Sequence, residues 1–226
     1  MYVFPTMADW YNAKQSMLFK SMEEFQFQIP VEYKWSKDPL HHWSRIWEYP
    51  WVFNQIRGKT ILDAGSGITF FPNFLRSFQC EVTPLDSDKF IAQFMNGIHG
   101  SIETHQGQYD NVICVSVIEH TKNPFKALEN LKECVAPGGR LIITVDVGIN
   151  GAEMNRVDFK NFASEFGFKA FPPLTNGDYL TTRTVKEGLP GPTHMMKKLT
   201  SFVRRGHPLA HIPYLTVCGL MWEKPC

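Results

Sequence analysis

The segment from Thr60 to Phe71 constrains the fold of this chain more than any other. It reads TILDAGSGITFF, with an apolar run, an acidic residue and two glycines ahead of a second apolar run. Ile61 and Leu62 predict a buried parallel strand, and the two glycines predict a tight turn into a helix. This order of strand, glycine-rich turn and helix is typical of α/β folds that bind nucleotides.

The same segment distinguishes between kinds of nucleotide. A dinucleotide site needs a third glycine where the pyrophosphate approaches the backbone, but Phe70 stands at that position. The carboxylate of Asp63 would also repel a phosphate group. It would suit a ligand that presents an ammonium group and no phosphate. S-adenosylmethionine, which combines an amino acid, a sulfonium and an adenosine, is such a ligand.

A second acidic residue follows the next predicted strand. The apolar stretch from Cys80 to Leu85 leads to Asp86, 23 residues after Asp63. In a parallel sheet, this strand would deliver Asp86 to the edge where the glycine loop lies, so that its carboxylate accepts both hydroxyls of a ribose. The two carboxylates are therefore expected to bracket one ligand.

Two further motifs follow at fitting distances. They read YDNVICVSVIEH over residues 109–120 and VAPGGRLIITV over residues 135–145. Together with the glycine loop and Asp86, they resemble the class I S-adenosylmethionine-dependent methyltransferases, especially the broad type-11 group. The resemblance covers about Lys59 to Gly167.

The resemblance implies an α/β fold with a Rossmann-like, doubly wound, mostly parallel sheet of seven strands. The last strand, expected at Tyr214–Trp222, would be antiparallel and form a hairpin with a sixth strand at Phe168–Phe171. A third strand is expected within Gly100–Gly107, with Glu103, Thr104 or His105 near the adenine. The resemblance also implies S-adenosylmethionine as cofactor, and the expected binding residues are Asp63, Ala64, Gly65, Ser66, Gly67, Asp86, Ser87, Ser116 and Val117.

Residues 1–58 are predicted to form an aromatic-rich helical cap on a methyltransferase domain of residues 59–226. They contain five of the six tryptophans. Asp38-Pro39 predicts a helix start, and the apolar spacing from Leu40 to Trp47 predicts a helix that Pro50 breaks or restarts. Arg45 has two interpretations: its bidentate fork binds the cofactor carboxylate, or it pairs with Glu48 on a core-packing helix.

Methyl transfer from a sulfonium is an in-line displacement with an activated leaving group. The protein then supplies approach, alignment and exclusion of water. An acceptor hydroxyl or amine must still lose a proton, and histidine is matched to that task at neutral pH.

His120, at the end of the fourth strand, is the predicted base, or else a structural histidine bound to a neighbouring loop. Glu119 would orient it or cap the next helix. Asp146 and the histidines at positions 41, 42 and 194 are secondary candidates.

The overall charge points to no polyanionic partner. Lys and Arg number 23 against 22 Asp and Glu, so no global field favours nucleic acid or an anionic membrane. No apolar run approaches about 18 residues. The five cysteines form no CxxC pair, which indicates a reducing cytoplasm and no metal site.

The insertion at Pro172–Pro213 is locally basic, and is interpreted as a lid for an anionic acceptor or as a solvated loop.

These observations predict an S-adenosylmethionine-dependent methyltransferase that acts on the oxygen or nitrogen of a small-molecule or sugar-type acceptor. Methylation of a quinone-like ring carbon is an alternative, because residues 117–120 also resemble enzymes of quinone biosynthesis. A non-catalytic protein that binds the cofactor is the main alternative from another class. A nicotinamide dehydrogenase is disfavoured by Phe70 and by the position of Asp63. The sequence does not predict an oligomeric state.

Overall fold

The computed structural model describes residues 1–26, 40, 42–148, 156–167, 179–182, 184–185 and 215–226. The strands are β1 Tyr2–Val3, β2 Thr60–Ala64, β3 Glu81–Asp86, β4 Ile98–His99, β5 Tyr109–Val115, β6 Val135–Gly148 and β7 Leu215–Glu223. The helices are α1 Met7–Gln15, α2 Met17–Gln26, α3 Arg45–Gln55, α4 Phe71–Ser77, α5 Lys89–Phe94, α6 Pro124–Glu133 and α7 Arg156–Ser164, with a 3₁₀ turn at Ile118–His120.

The seven strands form one sheet in the order β1-β7-β6-β5-β2-β3-β4. The strands from β2 to β6 pair in parallel, whereas β7 runs antiparallel to both β6 and β1. The predicted seven-stranded, mostly parallel sheet with an antiparallel last strand is confirmed. The chain progresses in opposite directions from β2 and from β5, so a topological switch point lies between these two strands. In such sheets ligands bind beyond the carboxyl ends of the strands at this point.

The sheet separates two hydrophobic clusters. Neighbouring residues of a strand point to opposite faces, and Ile61 belongs to one cluster whereas Leu62 belongs to the other. The cluster on the Ile61 side includes Trp10 and Phe19 of the predicted cap together with Phe74 of α4. The described helices of residues 1–58 therefore form a layer on the sheet. The domain division at residue 58 stays a prediction.

Side-chain caps set the starts of three helices. The side chains of Thr6 and Asp9 form a capping box at α1, and that of Asp88 accepts two first-turn N–H groups at α5. Asn123 caps α6 ahead of Pro124. These local signals place the helices between the strands.

The third strand differs from the expectation. It is β4, which pairs with the end of β3 and precedes the predicted segment Gly100–Gly107. Gly97 allows this early pairing, because a Cβ at that position would lie 2.3 Å from the carbonyl oxygen of Pro84. The segment 100–107 forms turns instead, and Asn130 donates hydrogen bonds to the carbonyl oxygens of Ile102 and His105. The prediction of a strand there was wrong.

Helix α3 also differs from the expectation. It begins at Arg45, where the Ser44 carbonyl oxygen accepts the N–H groups of Trp47 and Glu48. It continues through Pro50, which lacks an N–H group and leaves a gap in the helical ladder. Burial of the surrounding side chains maintains the helix across that gap. The prediction that Pro50 breaks or restarts a helix over residues 40–47 was wrong, and Asp38-Pro39 lies outside the described residues.

The outer edge of β7 is paired by segments that the sequence did not predict. Tyr2 and Val3 pair with Leu220 and Gly219, and Thr181 forms a bridge to Thr216. The predicted sixth strand at 168–171 lies outside the described residues, as does most of the insertion at 172–213, whose role as a lid stays a prediction. None of the described helices is long and apolar enough to cross a membrane.

Gly219 provides a test of the contact between α3 and the sheet. A Cβ at this position would lie 2.8 Å from Cη2 of Trp51 and 2.9 Å from Cζ2 and Cζ3. We expect Gly219→Ala to lower the free energy of unfolding by about 1–3 kcal/mol, because the overpacked ring must move. Urea unfolding measures this loss.

A double-mutant cycle supplies the control. In a Trp51→Leu background the contacting ring atoms are absent, so the added methyl group at position 219 should cost less. Equal losses in the two backgrounds would show that the ring does not limit the space at Gly219.

Candidate active site

A cleft of about 180 Å³ opens at the topological switch point between β2 and β5. Three segments surround it: the loop after β2, the residues that follow β5, and the first turns of α3. The cleft is lined by Arg45, Tyr49, Asp63, Gly65, Ser66, Gly67, Thr69, Phe71, Val115, Ser116 and Val117. Seven of the ten residues predicted to bind a cofactor are among them, namely Arg45, Asp63, Gly65, Ser66, Gly67, Ser116 and Val117.

The glycine loop is held in a conformation that favours glycine. Gly65 and Gly67 have φ angles of 76° and 55°, in the left-handed region. A Cβ on Gly65 would lie 2.4 Å from Cγ1 of Val117, so this position also lacks space for a side chain. The N–H groups of Gly65 and Ser66 donate to the carbonyl oxygen of Leu85 at 2.8 and 3.1 Å. The loop is thereby fixed to the end of β3.

The side chain of Asp86 stabilises the glycine loop through hydrogen bonds. Its Oδ2 accepts the N–H of Gly67 at 3.0 Å, and its Oδ1 accepts the N–H of Asp88 at 2.8 Å. Each carboxylate oxygen retains a second lone pair. Asp86 is nearly buried, Ser87 is exposed, and Ala64 is fully buried in the core. These three predicted cofactor residues do not line the cleft, and their contact with a cofactor stays a prediction.

Asp63 places a carboxyl group in the wall of the cleft. It is 5% exposed. Burial, and next the charge of Asp86, raise the pKa of this carboxyl to about 7, although Arg76 opposes the shift. Near neutral pH the group is therefore divided between its two protonation states. A cation in the cleft would favour the ionised form.

Arg45 and Glu48 pair across one turn of α3. The guanidinium of Arg45 contacts Oε2 of Glu48 and also donates to the Ser116 hydroxyl at 2.8 Å. Glu48 is fully buried, and its Oε1 accepts the hydroxyls of Ser116 and Thr144 at 2.7 and 2.5 Å. The pairing interpretation is confirmed. Because Arg45 also lines the cleft, its contact with a ligand carboxylate stays a prediction.

Ser116 adopts an uncommon backbone conformation. Its φ angle of 48° lies in the left-handed region, which costs a non-glycine residue about 1–2 kcal/mol. The hydrogen bonds to Arg45 and Glu48 hold its side chain in place. The backbone N–H of Ser116 donates to the Thr144 carbonyl oxygen at 2.9 Å, which ties the turn after β5 to β6.

The two predicted catalytic residues lie in different surroundings. His120 is exposed at the end of the 3₁₀ turn and does not line the cleft. Glu119 is partly buried, and its Oε1 accepts the backbone N–H of Asp146 at 2.9 Å. Its Oε2 is inaccessible and has no hydrogen-bond partner among the described residues. Burial, and next the charge of Asp146, raise the pKa of the Glu119 carboxyl well above its usual range.

Glu119 does not cap α6, since Asn123 performs that function. That part of the prediction was wrong. No hydrogen bond joins Glu119 to His120 within the described ranges. The catalytic role of both residues stays a prediction. Of the secondary candidates, His42 is exposed, and His41 and His194 lie outside the described residues.

The sequence analysis missed four residues of the cleft wall: Tyr49, Thr69, Phe71 and Val115. Tyr49 lies four residues after Arg45, on the same face of α3, and its ring packs against that of Phe71 with centroids 4.7 Å apart. The spacing from Arg45 would have identified Tyr49 if the helix start had been predicted correctly.

Among the described residues, no group of three or more His, Cys, Asp or Glu side chains could hold a metal ion.

Comparison with known proteins identifies the family. Residues 41–153, half of the chain, match the model of a family described as a methyltransferase domain. The chain belongs to this methyltransferase family. A ubiquinone biosynthesis O-methyltransferase from Schizosaccharomyces pombe, described as mitochondrial, is 32% identical over 107 residues, which cover 40% of this methyltransferase and 39% of the relative. One from Shewanella halifaxensis is 27% identical over 118 residues, which cover 45% and 50%.

The chain thus spans half or less of the length of these two curated relatives. A solved structure from Galdieria sulphuraria, named as a candidate sarcosine dimethylglycine methyltransferase, matches the fold over 95% of this methyltransferase and 98% of its own chain. The TM-score is 0.53 and the sequence identity 14%. This likeness shows a shared fold.

The raised pKa of Asp63 predicts a pH-dependent effect on stability. The folded state binds this proton more tightly than the unfolded state, whose pKa is near 3.8. Its contribution to stability is therefore complete below that value and is lost as the pH rises through about 7, at about 1.4 kcal/mol per unit. We expect Asp63→Asn to stabilise the protein by a few kcal/mol more at pH 8 than at pH 5.

Thermal unfolding of both proteins at the two pH values measures this difference. Asp110→Asn is a matched control, because hydrogen bonds from Thr60 and Lys59 lower the pKa of Asp110 below its ordinary value. Its effect on stability should be the same at pH 5 and pH 8. An Asp63→Asn effect that is also independent of pH would contradict the assigned pKa.

Proposed function

We propose that this protein is an S-adenosylmethionine-dependent methyltransferase that methylates a hydroxyl oxygen of a small-molecule acceptor. The observation that carries the proposal is the pairing of opposite charges in one cleft. Asp63 offers an anion beside the glycine loop, and Arg45 offers a cation from α3. This arrangement complements the ammonium and carboxylate groups of an amino acid and leaves no cradle for a phosphate. The family and the names of the two curated relatives support the same reaction.

The residues of the cleft fit the parts of this cofactor. Asp63 would hold the ammonium group, and Arg45 the carboxylate. The Ser66 hydroxyl is buried in the cleft wall without a hydrogen-bond partner among the described residues, so it is available to the same end of the ligand. Asp86 has free lone pairs for the ribose hydroxyls. Gly65 and Gly67 would let the ligand approach the backbone.

When bound, the cofactor supplies a methyl group on an activated sulfonium. The chain has to align the acceptor, exclude water and remove a proton. The rings of Tyr49 and Phe71 form an apolar wall that excludes water. We assign the removal of the proton to Glu119 rather than His120. Neither side chain lines the cleft, but His120 is exposed, whereas Oε2 of Glu119 is buried without a hydrogen-bond partner among the described residues. Once ionised, the Glu119 carboxylate is a strong base, since burial raises its pKa.

One observation favours the alternative that the protein binds the cofactor without transferring the methyl group. The predicted base His120 is exposed, and burial raises the pKa of the Glu119 carboxyl well above its usual range, which disfavours the ionised form that a base requires. Neither group is then a ready base for an acceptor of high pKa. A transfer assay distinguishes the two functions.

Calorimetry tests the cofactor site. We expect S-adenosylmethionine to bind with a Kd in the micromolar range, and Gly65→Ala to abolish binding because its Cβ would overlap Val117. Gly167→Ala is the matched control: Gly167 has a similar φ of 78°, but nothing lies within 4 Å of its Cβ position. Binding of NAD without binding of S-adenosylmethionine would overturn the proposal.

A transfer assay tests the chemistry. A labelled methyl donor is incubated with panels of phenols, catechols, sugars and amines, and the labelled products are identified. We expect transfer to a hydroxyl oxygen, and Glu119→Gln to bind the cofactor normally while losing at least about tenfold in rate. Exclusive labelling of nitrogen or carbon would refute O-methylation, and cofactor binding with no transfer across the panels would favour the non-catalytic alternative.

A further inference from the structure

A second concavity lies on the side of α3 that faces away from the cleft. Its volume is about 350 Å³, about twice that of the cleft, and α1, the start of α2 and α3 form its walls. We call it the α1–α3 groove. Arg45 and Tyr49 of α3 line the cleft, whereas Trp47 and Trp51 line the groove. Residues two positions apart on a helix point in nearly opposite directions, because successive residues are about 100° apart.

The α3 wall of the groove is aromatic and apolar. It consists of the indoles of Trp47 and Trp51 and the ring of Pro50. The two indoles stack with their ring centroids 5.3 Å apart and their planes 21° apart. The six-membered ring of Trp51 also lies against β7, where a Cβ on Gly219 would be 2.8 Å from Cη2. Trp51 is therefore held in place by contacts with Trp47 and with the sheet.

The polar side chains of the groove have hydrogen-bonding atoms that the described part of the chain does not use. Asp9 accepts the N–H and the hydroxyl of Thr6 with Oδ2, at 2.8 and 2.7 Å, and its Oδ1 accepts nothing from the described residues. Asn12 and Asn54 are exposed, and their side chains form no hydrogen bond within the described ranges. The groove thus offers a carboxylate acceptor and two amides that both donate and accept.

The two helices hold the groove open at a fixed width. The indole N–H of Trp10 in α1 donates to the carbonyl oxygen of Trp43, just before α3, at 2.9 Å. The capping box at Thr6 fixes the start of α1. Along α3, Trp47 and Asn54 are seven residues apart, which corresponds to about 10 Å. The groove is therefore formed before a ligand binds, and its length suits a disaccharide.

The combination of an aromatic wall with amides and a carboxylate limits the class of ligand. No lysine or arginine among the described residues lines the groove, so a phosphate or carboxylate would meet only the negative charge of Asp9. A purely apolar ligand would remove water from the amides without replacing its hydrogen bonds. A sugar ring has C–H groups that pack on an indole, and its hydroxyls both donate and accept hydrogen bonds. It satisfies the apolar and the polar walls together.

We propose that the α1–α3 groove is a second ligand site and that it binds a neutral sugar. The C–H groups of the sugar pack on Trp47 and Trp51, and its hydroxyls form hydrogen bonds with Asp9, Asn12 and Asn54. The inference goes beyond the proposed function and does not depend on it, because no described residue lines both the groove and the cleft.

NMR of the full chain tests the proposal, with the neutral disaccharide cellobiose as the probe. Each of the six tryptophans has one indole N–H signal, and single Trp→Phe variants assign these signals. We expect cellobiose to shift the signals of Trp47 and Trp51 with a Kd on the order of 1 mM. The signal of Trp222 should not move, because this ring lies outside the groove, beside Lys132.

Three variants separate binding in the groove from weak contact with the surface. Asn12→Ala and Asn54→Ala replace exposed side chains that have no partner in the described part of the chain, so both proteins should fold. Each should weaken cellobiose binding by about fivefold, since a hydrogen bond to the sugar is lost. Gln93→Ala is the matched control, because it removes an exposed amide from α5, outside the groove. Its Kd should equal that of the wild type.

Further probes test the class of ligand. Maltose provides a second neutral disaccharide, and phenol, choline and inorganic phosphate represent an aromatic ring, an organic cation and an anion. The proposal is refuted if neither disaccharide shifts the two signals at up to about 20 mM, or if one of the other three probes shifts them when the disaccharides do not. Equal weakening by Gln93→Ala and by the two asparagine variants would also refute it. Failure of S-adenosylmethionine to bind would overturn the proposed function and leave this inference unaffected.

Discussion

The buried carboxylate of Glu48 is the interaction on which the arrangement of the cleft depends. A charge inside a protein must be paired, and loss of one partner of a buried pair commonly costs about 3–5 kcal/mol. Glu48 meets this requirement with partners from α3, from the turn after β5 and from β6. Helix α3 therefore cannot shift along the sheet without leaving this charge unpaired. The wall of the cleft that α3 forms is therefore held to the sheet, as is the wall that the glycine loop forms.

The parts of the fold that the sequence predicted correctly are those with local signals. Apolar runs identify the strands β2, β3 and β5. Glycines with positive φ mark the loop after β2. The spacing of Asp63 and Asp86 placed two carboxyl groups at one edge of the sheet, where the structure brings them close enough for Asp86 to raise the pKa of Asp63. The family and the general fold follow from these local features.

The remaining features depend on contacts between distant residues. Strand β1 has two residues and exists because Leu220 and Gly219 pair with it, so no periodicity could reveal it. Glu48 had an evident partner one turn away, but its bonds to Ser116 and Thr144 span 68 and 96 residues. The bounds of α3 were misjudged because Asp38-Pro39 was taken as a helix start and because Pro50 was given more weight than the burial on both sides of it. Because of that error, Tyr49 was not predicted to line the cleft.

The carboxyl group of Asp63 couples occupancy of the cleft to proton exchange with the solvent. With a pKa of about 7, the group holds roughly half a proton in the empty protein at neutral pH. A cation that enters the cleft favours the carboxylate, so the remaining proton fraction passes to the buffer. The heat of ligand binding will then contain the ionisation enthalpy of that buffer. Measurements in two buffers of different ionisation enthalpy would count the protons released and locate the cation beside this residue.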